Sequence, residues 1–539
     1  MVILQALGTI ISGSLADGLV MRVASGTALE SIKTGKFVSI VGSQYRFFSL
    51  ITDMSLATTN QDILLFPPQE DEPLLRDIIQ QRDVYATVVL RPMLMLGTDQ
   101  RPCPVKTIPA HFSLVYEASA HDVALIFGDE QSSDKNYFNI GCPLDMQTPV
   151  CINLEKVTER SNGIFGKTGT GKTFLTRLVL AGLIKQCKAV NLIFDMHSEY
   201  GLQARTEGKS RSFVKGLKTL FPDRIIIVSL DPASTRRRGG SPDIEFTLDY
   251  QSIEVEDILS LQYELNLHPT AMEAAYLIFA HYKQDWLQVL LSKGEQIKEF
   301  AESLGAHPES VAALYRKLQR LARLPFLYTG MANDTAPRHT VIDQIMAYLN
   351  KGISIVIEFG NFTASFVYLL IANIITRRIH REYINKTEQF LGSHYTSQEP
   401  QKLMITIEEA HKFLNSNAAK QTIFGTIARE MRKYYVSLLV VDQRPSGIDA
   451  EVLSQIGTKI IAQLHDDKDI QAVLTGISGA QHLRTILAGL DSKKQALLLG
   501  HALAMPVVVQ TREYDETFYT AMQEDMMLSS VDTLVKELF

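Results

Sequence analysis

The chain has little of what marks several protein classes. Among 539 residues there are four cysteines, Cys103, Cys142, Cys151 and Cys187, and none falls in a C-x-x-C. That spacing argues against a zinc site, and a disulfide framework is implausible at this size; a reducing, cytoplasmic setting fits. No apolar run reaches the ~18 residues of a spanning helix. The longest, around 366–375, runs straight into Arg377-Arg378, so no membrane partner is expected. The opening MVILQALGTIISGSLADG has no basic residue before Arg22, and its apolar residues soon alternate with Gly and Ser. It reads as a first strand and turn rather than a signal peptide. Neither charge dominates: 53 Lys and Arg against 59 Asp and Glu give a net charge of −6. The chain as a whole is therefore not a basic nucleic-acid coat, although a basic stripe on an acidic body stays open. Low-complexity tracts and tandem repeats are absent. The single tryptophan, Trp286, reads as a core anchor rather than a ligand platform.

What is present is the composition of a folded protein, 46% hydrophobic and 21% charged, which excludes disorder as the main state. At roughly 100–200 residues per domain, two to four domains are expected. Residues 1–150 read as β-rich, with short β-branched stretches at 19–23, 37–41, 47–51 and 85–90 between Gly, Asp, Ser and Pro punctuation. Strands at that spacing predict a small closed barrel, because closure removes exposed edges. Residues 125–149 read as an extended connector. From about residue 150, apolar strands alternate with helical patterns. Strands are expected at 163–165, 190–194, 224–230, 353–358, 403–408, 437–441 and 459–463, with 496–510 returning to strand. This succession predicts an α/β fold, a doubly wound and mostly parallel sheet, over 151–253 and 328–510. Residues 254–327 carry i, i+3, i+4 apolar spacing and read as an inserted helical subdomain. Residues 511–539 form a tail with a helix from residue 515.

The strongest motif is Gly166-Lys-Thr168-Gly169-Thr170-Gly171-Lys172-Thr173, an intact G-x-x-x-x-G-K-[ST] after a predicted strand and at the head of a predicted helix, with Phe174 next. Glycines let backbone N–H groups turn in on phosphates, and the helix N-terminus adds positive potential. Lys172 is expected to neutralise the β- and γ-phosphates of ATP, and the Thr173 hydroxyl to ligate Mg²⁺. A second motif, Leu403-Met-Ile-Thr-Ile-Glu408-Glu409-Ala-His411, delivers two acids at the C-terminal end of an apolar strand, where ligands sit in open α/β sheets. Glu408 is assigned to the metal and Glu409 to the attacking water. A third, Asp195-Met-His197-Ser-Glu199-Tyr200-Gly201, follows a strand. His197 lacks companions at metal-ligand spacing, so Asp195 and Glu199 are read as supporting or phosphate-proximal groups. The fourth, Val-Val-Asp442-Gln443-Arg444-Pro445, ends a strand in an amide, and Gln443 is a candidate γ-phosphate sensor.

These four stretches together resemble the HerA branch of the HerA/FtsK superfamily of RecA-like motor ATPases. The resemblance covers most of the chain: an N-terminal β-barrel, the phosphate loop, D-x-H-x-E-Y, the acidic pair with Ala-His, and a strand ending in Gln-Arg-Pro. The segment GTIAREMRKYYV at 425–436 is similar to the family's basic helix. Two residues depart from the pattern: Asp442 stands where a small hydroxyl is usual, and Met431 where a glycine is usual. The resemblance implies a homo-hexameric ring that hydrolyses ATP between subunits, moves double-stranded DNA through its channel, and docks on a nuclease of the NurA type or another effector, in repair or antiphage defence. It also implies an arginine acting across the subunit boundary, for which Arg432 and Arg160 are the first candidates and Lys433 the next.

Two basic clusters are candidates for DNA phosphate contacts: Arg205, Lys209, Arg211, Lys215 and Lys218, and Arg236-Arg237-Arg238. Two other function classes stay open at this point. One is a nucleotide-regulated scaffold that assembles and gates an effector enzyme. The other is a rotary or secretion-type ATPase, which the helical insertion and the Gln-Arg-Pro strand end fit less well.

Overall fold

The structure, a computed structural model, describes residues 6–65, 68, 78–79, 82–97, 101–144, 146–205, 213–328, 340–396, 398–420, 422–477, 480–491 and 494–523. Lys209 and Arg211, the end of the C-terminal tail and the side chains of Arg205 and Met431 lie outside the described residues. The chain divides into two compact units. One holds Met1–Val157, Gly163–Leu175 and Gly457–Glu513; the other holds Thr158–Asn162, Thr176–Ile456 and Tyr514–Phe539.

The first unit begins with a closed antiparallel barrel. Gly18–Val23 pairs with Gly8–Ser14, followed in order by Leu114–Glu117, Phe37–Val41, Arg46–Thr58 and Val84–Leu96, and the last returns to Gly18–Val23. Inward residues such as Ile10, Met21, Val38, Ile40, Val88 and Val115 fill it. Arg46–Thr58 and Val84–Leu96 are long enough to need bending, and two register shifts, at Phe48/Ser49 and Ile51/Asp53, supply it. Arg46 closes one end with a bidentate pair to the fully buried Asp122, at 2.6 and 2.9 Å. Asp122 also completes the capping box of helix Ala120–Phe127 with Ser119.

The expected connector at 125–149 is instead largely structured. Tyr137–Pro143 is a strand, antiparallel to Val150–Asn153 on one side and Val507–Thr511 on the other. The second of these partners lies more than 360 residues away, and the strand's own Asn, Gly and Pro hide the strand pattern. Gly141 is required by that pairing, since a Cβ there would stand 2.2 Å from the Gln510 carbonyl oxygen. Antiparallel pairing continues through Gln495–Gly500 to Thr458–Ile461, so this part of the expected parallel sheet is a meander.

In the second unit the sheet is parallel throughout. Its order is Ile244–Glu245, Ile225–Ser229, Ser354–Glu358, Val190–Asp195, Leu403–Glu408, Val436–Asp442. Near-continuous burial along these strands explains their unbroken apolar sequences. Between residues 255 and 323 every regular element among the described residues is helical. Trp286 is fully buried there and donates Nε1–H to the Ile253 carbonyl at 2.9 Å, as a core anchor should. The long helix Ser365–Gly392 holds the apolar run noted above. Among the described residues no helix is long and apolar enough to cross a membrane.

Candidate active site

In the first unit the strand Asn162–Phe165 gives way to the phosphate loop, and helix Lys172–Lys185 begins at its lysine. The strand side is fixed by Ala462 N–H donating to Phe165 O at 2.8 Å and Lys167 N–H to Gln463 O at 3.0 Å. Gly169 and Gly171 adopt φ of +81° and +94°, which a Cβ would oppose. Thr170 is buried and its hydroxyl donates to Lys167 O at 2.7 Å. Lys172 Nζ folds back onto the same carbonyl at 3.0 Å. Thr168 is exposed at the tip, while Thr173 and Phe174 are half-buried on the first helical turn. Gly166 packs against Ala462.

The second unit gathers carboxylates at the C-terminal ends of three adjacent parallel strands. Asp195, Glu358 and Glu408 each terminate an apolar strand, with Asp195 and Glu358 paired in register. Asp195 accepts the Glu199 and Tyr200 backbone N–H groups, both at 2.8 Å, and so shapes the following turn. Glu199 is half-buried on that turn, and its carbonyl accepts from Arg177 Nε at 3.1 Å. Burial, then the nearby Glu358 charge, pushes Asp195 up to about 7.

Glu408 takes a hydrogen bond from the Tyr200 hydroxyl on Oε1 at 2.9 Å. Its backbone N and O both lie 3.2 Å from the Tyr368 hydroxyl. Its Oε2 is buried with no hydrogen-bond partner. Burial, reinforced by Asp195, Glu199 and Glu409, raises its pKa well above the carboxylate range. A buried carboxylate oxygen without a partner, among like charges, suits a divalent cation. Among the described residues no group of three or more His, Cys, Asp or Glu could hold a metal by itself. Mg²⁺ does not need one, because it keeps several waters and takes phosphate oxygens.

Glu409 turns away from the strand with φ +48°, a left-handed conformation that costs a non-glycine residue about 1–2 kcal/mol. Its Oε2 lies 3.3 Å from Gln443 Nε2 and 3.7 Å from His411 Nε2. Asp442, the unusual residue before Gln443, is fully buried. It accepts the backbone N–H of His411 at 2.7 Å and of Arg444 at 2.6 Å.

Arg160 has its Nε buried without a hydrogen-bond partner. Arg432 and Lys433 are exposed on a 3-10 turn after helix Ile423–Glu430, with Lys433 over the Tyr434 ring. Several basic residues expected to meet DNA also form ion pairs within the chain. Arg238 pairs with the buried Glu358 at 2.6 Å, Arg236 with Glu245, Lys215 with Glu516 and Lys218 with Asp243; Arg237 is exposed. Sequence reasoning missed Glu358 and Tyr368, and it named Tyr200 in a motif without giving it a role. Glu358 shared the signal that found Glu408, an acid closing an apolar strand. The tyrosines declare themselves only through burial.

A glycine-turned phosphate loop, with a parallel sheet that ends in buried acids, defines a P-loop nucleotide-binding protein of the α/β class. Residues 138–379 match the family described as "Helicase HerA, central domain". Over 501 residues, 90% of each chain, the sequence is 24% identical to the DNA double-strand break repair helicase HerA of Sulfurisphaera tokodaii. Its Pyrococcus furiosus counterpart is 23% identical over 431 residues, covering 75% of this chain and 73% of that one. Among solved structures, VirB4 of Thermoanaerobacter pseudethanolicus aligns with 70% of this chain and 96% of its own, at 14% identity and a TM-score of 0.44.

Proposed function

We propose that the chain is a ring-forming, Mg²⁺-dependent cytoplasmic ATPase that translocates or unwinds double-stranded DNA, with a NurA-type nuclease or another effector as partner. The reading is carried by the buried, unpartnered Glu408 Oε2 beside the half-buried, left-handed turn of Glu409, in a chain with an intact phosphate loop. The similarity to HerA helicases over 90% of the chain supports the DNA substrate.

In this reading Gly166, Thr168, Gly169, Thr170 and Gly171 wrap the phosphates with backbone N–H groups. Lys172 leaves the Lys167 carbonyl for the β- and γ-phosphate oxygens, and Phe174 lies along the nucleotide. Thr173 and Glu408 hold Mg²⁺, which when bound neutralises phosphate charge. Glu409 accepts the proton of the attacking water. Gln443, already beside Glu409 Oε2, reports the γ-phosphate. Asp195 and Glu199 shape the turn that carries Tyr200 to Glu408. Arg160, with its unsatisfied Nε, and Arg432 are the groups offered to the neighbouring subunit's phosphate, where an arginine stabilises developing charge.

Steady-state ATP turnover with and without duplex DNA, on a particle sized by native mass spectrometry, tests the reading. Duplex-stimulated turnover by a hexamer is expected. Turnover indifferent to duplex would favour a nucleotide-gated scaffold, and full turnover by a monomer would overturn the ring.

A further inference from the structure

Glu409 does not stand alone at the end of its strand. His411 lies two residues on, and its ring is gripped from the far side. Asp442, which terminates the next strand with a fully buried side chain, contacts His411 Nδ1 at 3.0 and 3.2 Å and accepts the His411 backbone N–H at 2.7 Å. A buried carboxylate accepts and cannot donate, so Nδ1 carries the hydrogen and the ring orientation is set. The opposite nitrogen, Nε2, then faces Glu409 Oε2 at ion-pair distance, 3.7 Å. Gln443 Nε2 reaches the same oxygen at 3.3 Å. Both contacts fall on Oε2, and among the described residues no hydrogen bond to Oε1 is recorded.

We propose that His411, held by Asp442, is the positioning residue of Glu409. It pins Oε2 so that Oε1 is the oxygen presented to the attacking water. The proposal rests on the reading of Glu409 as the base and adds to it the device that aims the base. The charges around the ring are Asp442, Glu409 and Lys412, and the hydrogen bond to Asp442 raises the imidazole's pKa, which favours the cationic form that attracts Glu409. This gives Asp442 a reason to stand where the family pattern has a small hydroxyl. A carboxylate holds a charged imidazole through a charge-assisted bond, roughly twice as strong as a neutral one.

The test is ATP turnover by the full chain carrying His411→Gln, His411→Ala, Asp442→Asn or Glu409→Gln, each with its melting temperature and its affinity for a non-hydrolysable ATP analogue. His411→Gln should lower kcat about ten- to hundredfold, the usual range for a group that orients a reacting one, with analogue affinity and melting temperature unchanged. Added imidazole should restore part of kcat to His411→Ala and none to Glu409→Gln, a response that a merely structural role would not produce. Asp442→Asn should lower kcat in the same way and add nothing to His411→Gln. Wild-type turnover by His411→Gln, or a loss explained by weaker nucleotide binding, would overturn the proposal. An inactive Glu409→Gln beside a fully active His411→Gln would remove the positioning role alone; full activity in Glu409→Gln would remove the base assignment beneath it.

Discussion

The Tyr200 hydroxyl donates to Glu408 Oε1 at 2.9 Å, and the backbone N–H of the same tyrosine donates to Asp195 at 2.8 Å. One strand-end acid thus holds the residue that holds the other. Tyr200→Phe removes the hydroxyl and leaves Glu408 with both oxygens unpartnered, since Oε2 already is. Losing a hydrogen bond to a buried polar group costs about 1–3 kcal/mol, more where the group is charged. The variant should unfold at lower urea without nucleotide and need more Mg²⁺ for half-maximal turnover. A wild-type Mg²⁺ requirement would show that Tyr200 does not orient Glu408.

Binding and hydrolysis should separate at two residues. Lys172→Ala removes the cation of the phosphate loop and should abolish both nucleotide affinity and turnover. Glu409→Gln keeps the shape and removes the basicity, so it should bind ATP as tightly as the parent and hydrolyse almost none. Equilibrium binding of a fluorescent ATP analogue beside phosphate release distinguishes the two. Comparable binding loss in both variants would contradict the division of roles.

The parts legible in the sequence were those in which local pattern and tertiary environment coincide. Leu403–Glu408 and Val190–Asp195 are buried on both faces, so their unbroken apolar runs announced them, and the glycines of the phosphate loop are dictated by its own backbone. Tyr137–Pro143 was illegible because its Asn, Gly and Pro break the strand pattern and one of its two partners, Val507–Thr511, lies far along the chain. The ion pairs of the basic clusters were hidden for a related cause. Arg238 reads in the sequence only as one of three consecutive arginines, and its pairing with the buried Glu358 is a need that only the fold creates. The contact between His411 and Asp442 was equally hidden, since nothing local links a helix start after one strand to the end of the next.

Two arginines on the long helix Ser365–Gly392 offer a contrast between buried and exposed ion pairs. Arg377 sits against Asp257 with bonds of 2.9 and 2.8 Å, that carboxylate being fully buried, and also pairs with Glu254 at 2.5 Å. Arg381 makes two 2.7 Å bonds to the half-exposed Glu254. Arg377→Ala leaves the buried Asp257 without its cation, with Asn373 Nδ2–H and the Glu254 backbone N–H still donating to it. Breaking a buried pair typically costs about 3–5 kcal/mol, whereas Arg381→Ala should cost no more than ~1 kcal/mol. Because Asp257 lies on helix Val255–Leu259, the loss should appear first as faster hydrogen exchange in the helices of 255–318. Equal protection in the two variants would mean that the buried pair does not anchor this segment.

Lys459 gives a stability test that is independent of nucleotide. It lies buried on the strand Thr458–Ile461, and its Nζ donates to the carbonyls of Val473 at 2.8 Å and Thr475 at 3.3 Å, at the end of helix Asp467–Val473. Burial pulls its pKa down from 10.5 to about 8. Between those values the unfolded chain holds a proton that the folded chain has released, so stability rises with pH across the window, by at most about 1.4 kcal/mol per pH unit. Below about pH 8 both states carry the charge, and the folded state bears the full cost of burying it. Lys459→Met removes the titrating group. Urea unfolding of both proteins from pH 7 to 11 should show the unfolding free energy of the parent climbing relative to the variant between about 8 and 10.5, and a constant difference on either side. A difference that stays flat throughout would mean that the ammonium is solvated in the folded protein and that its carbonyl contacts carry no desolvation cost.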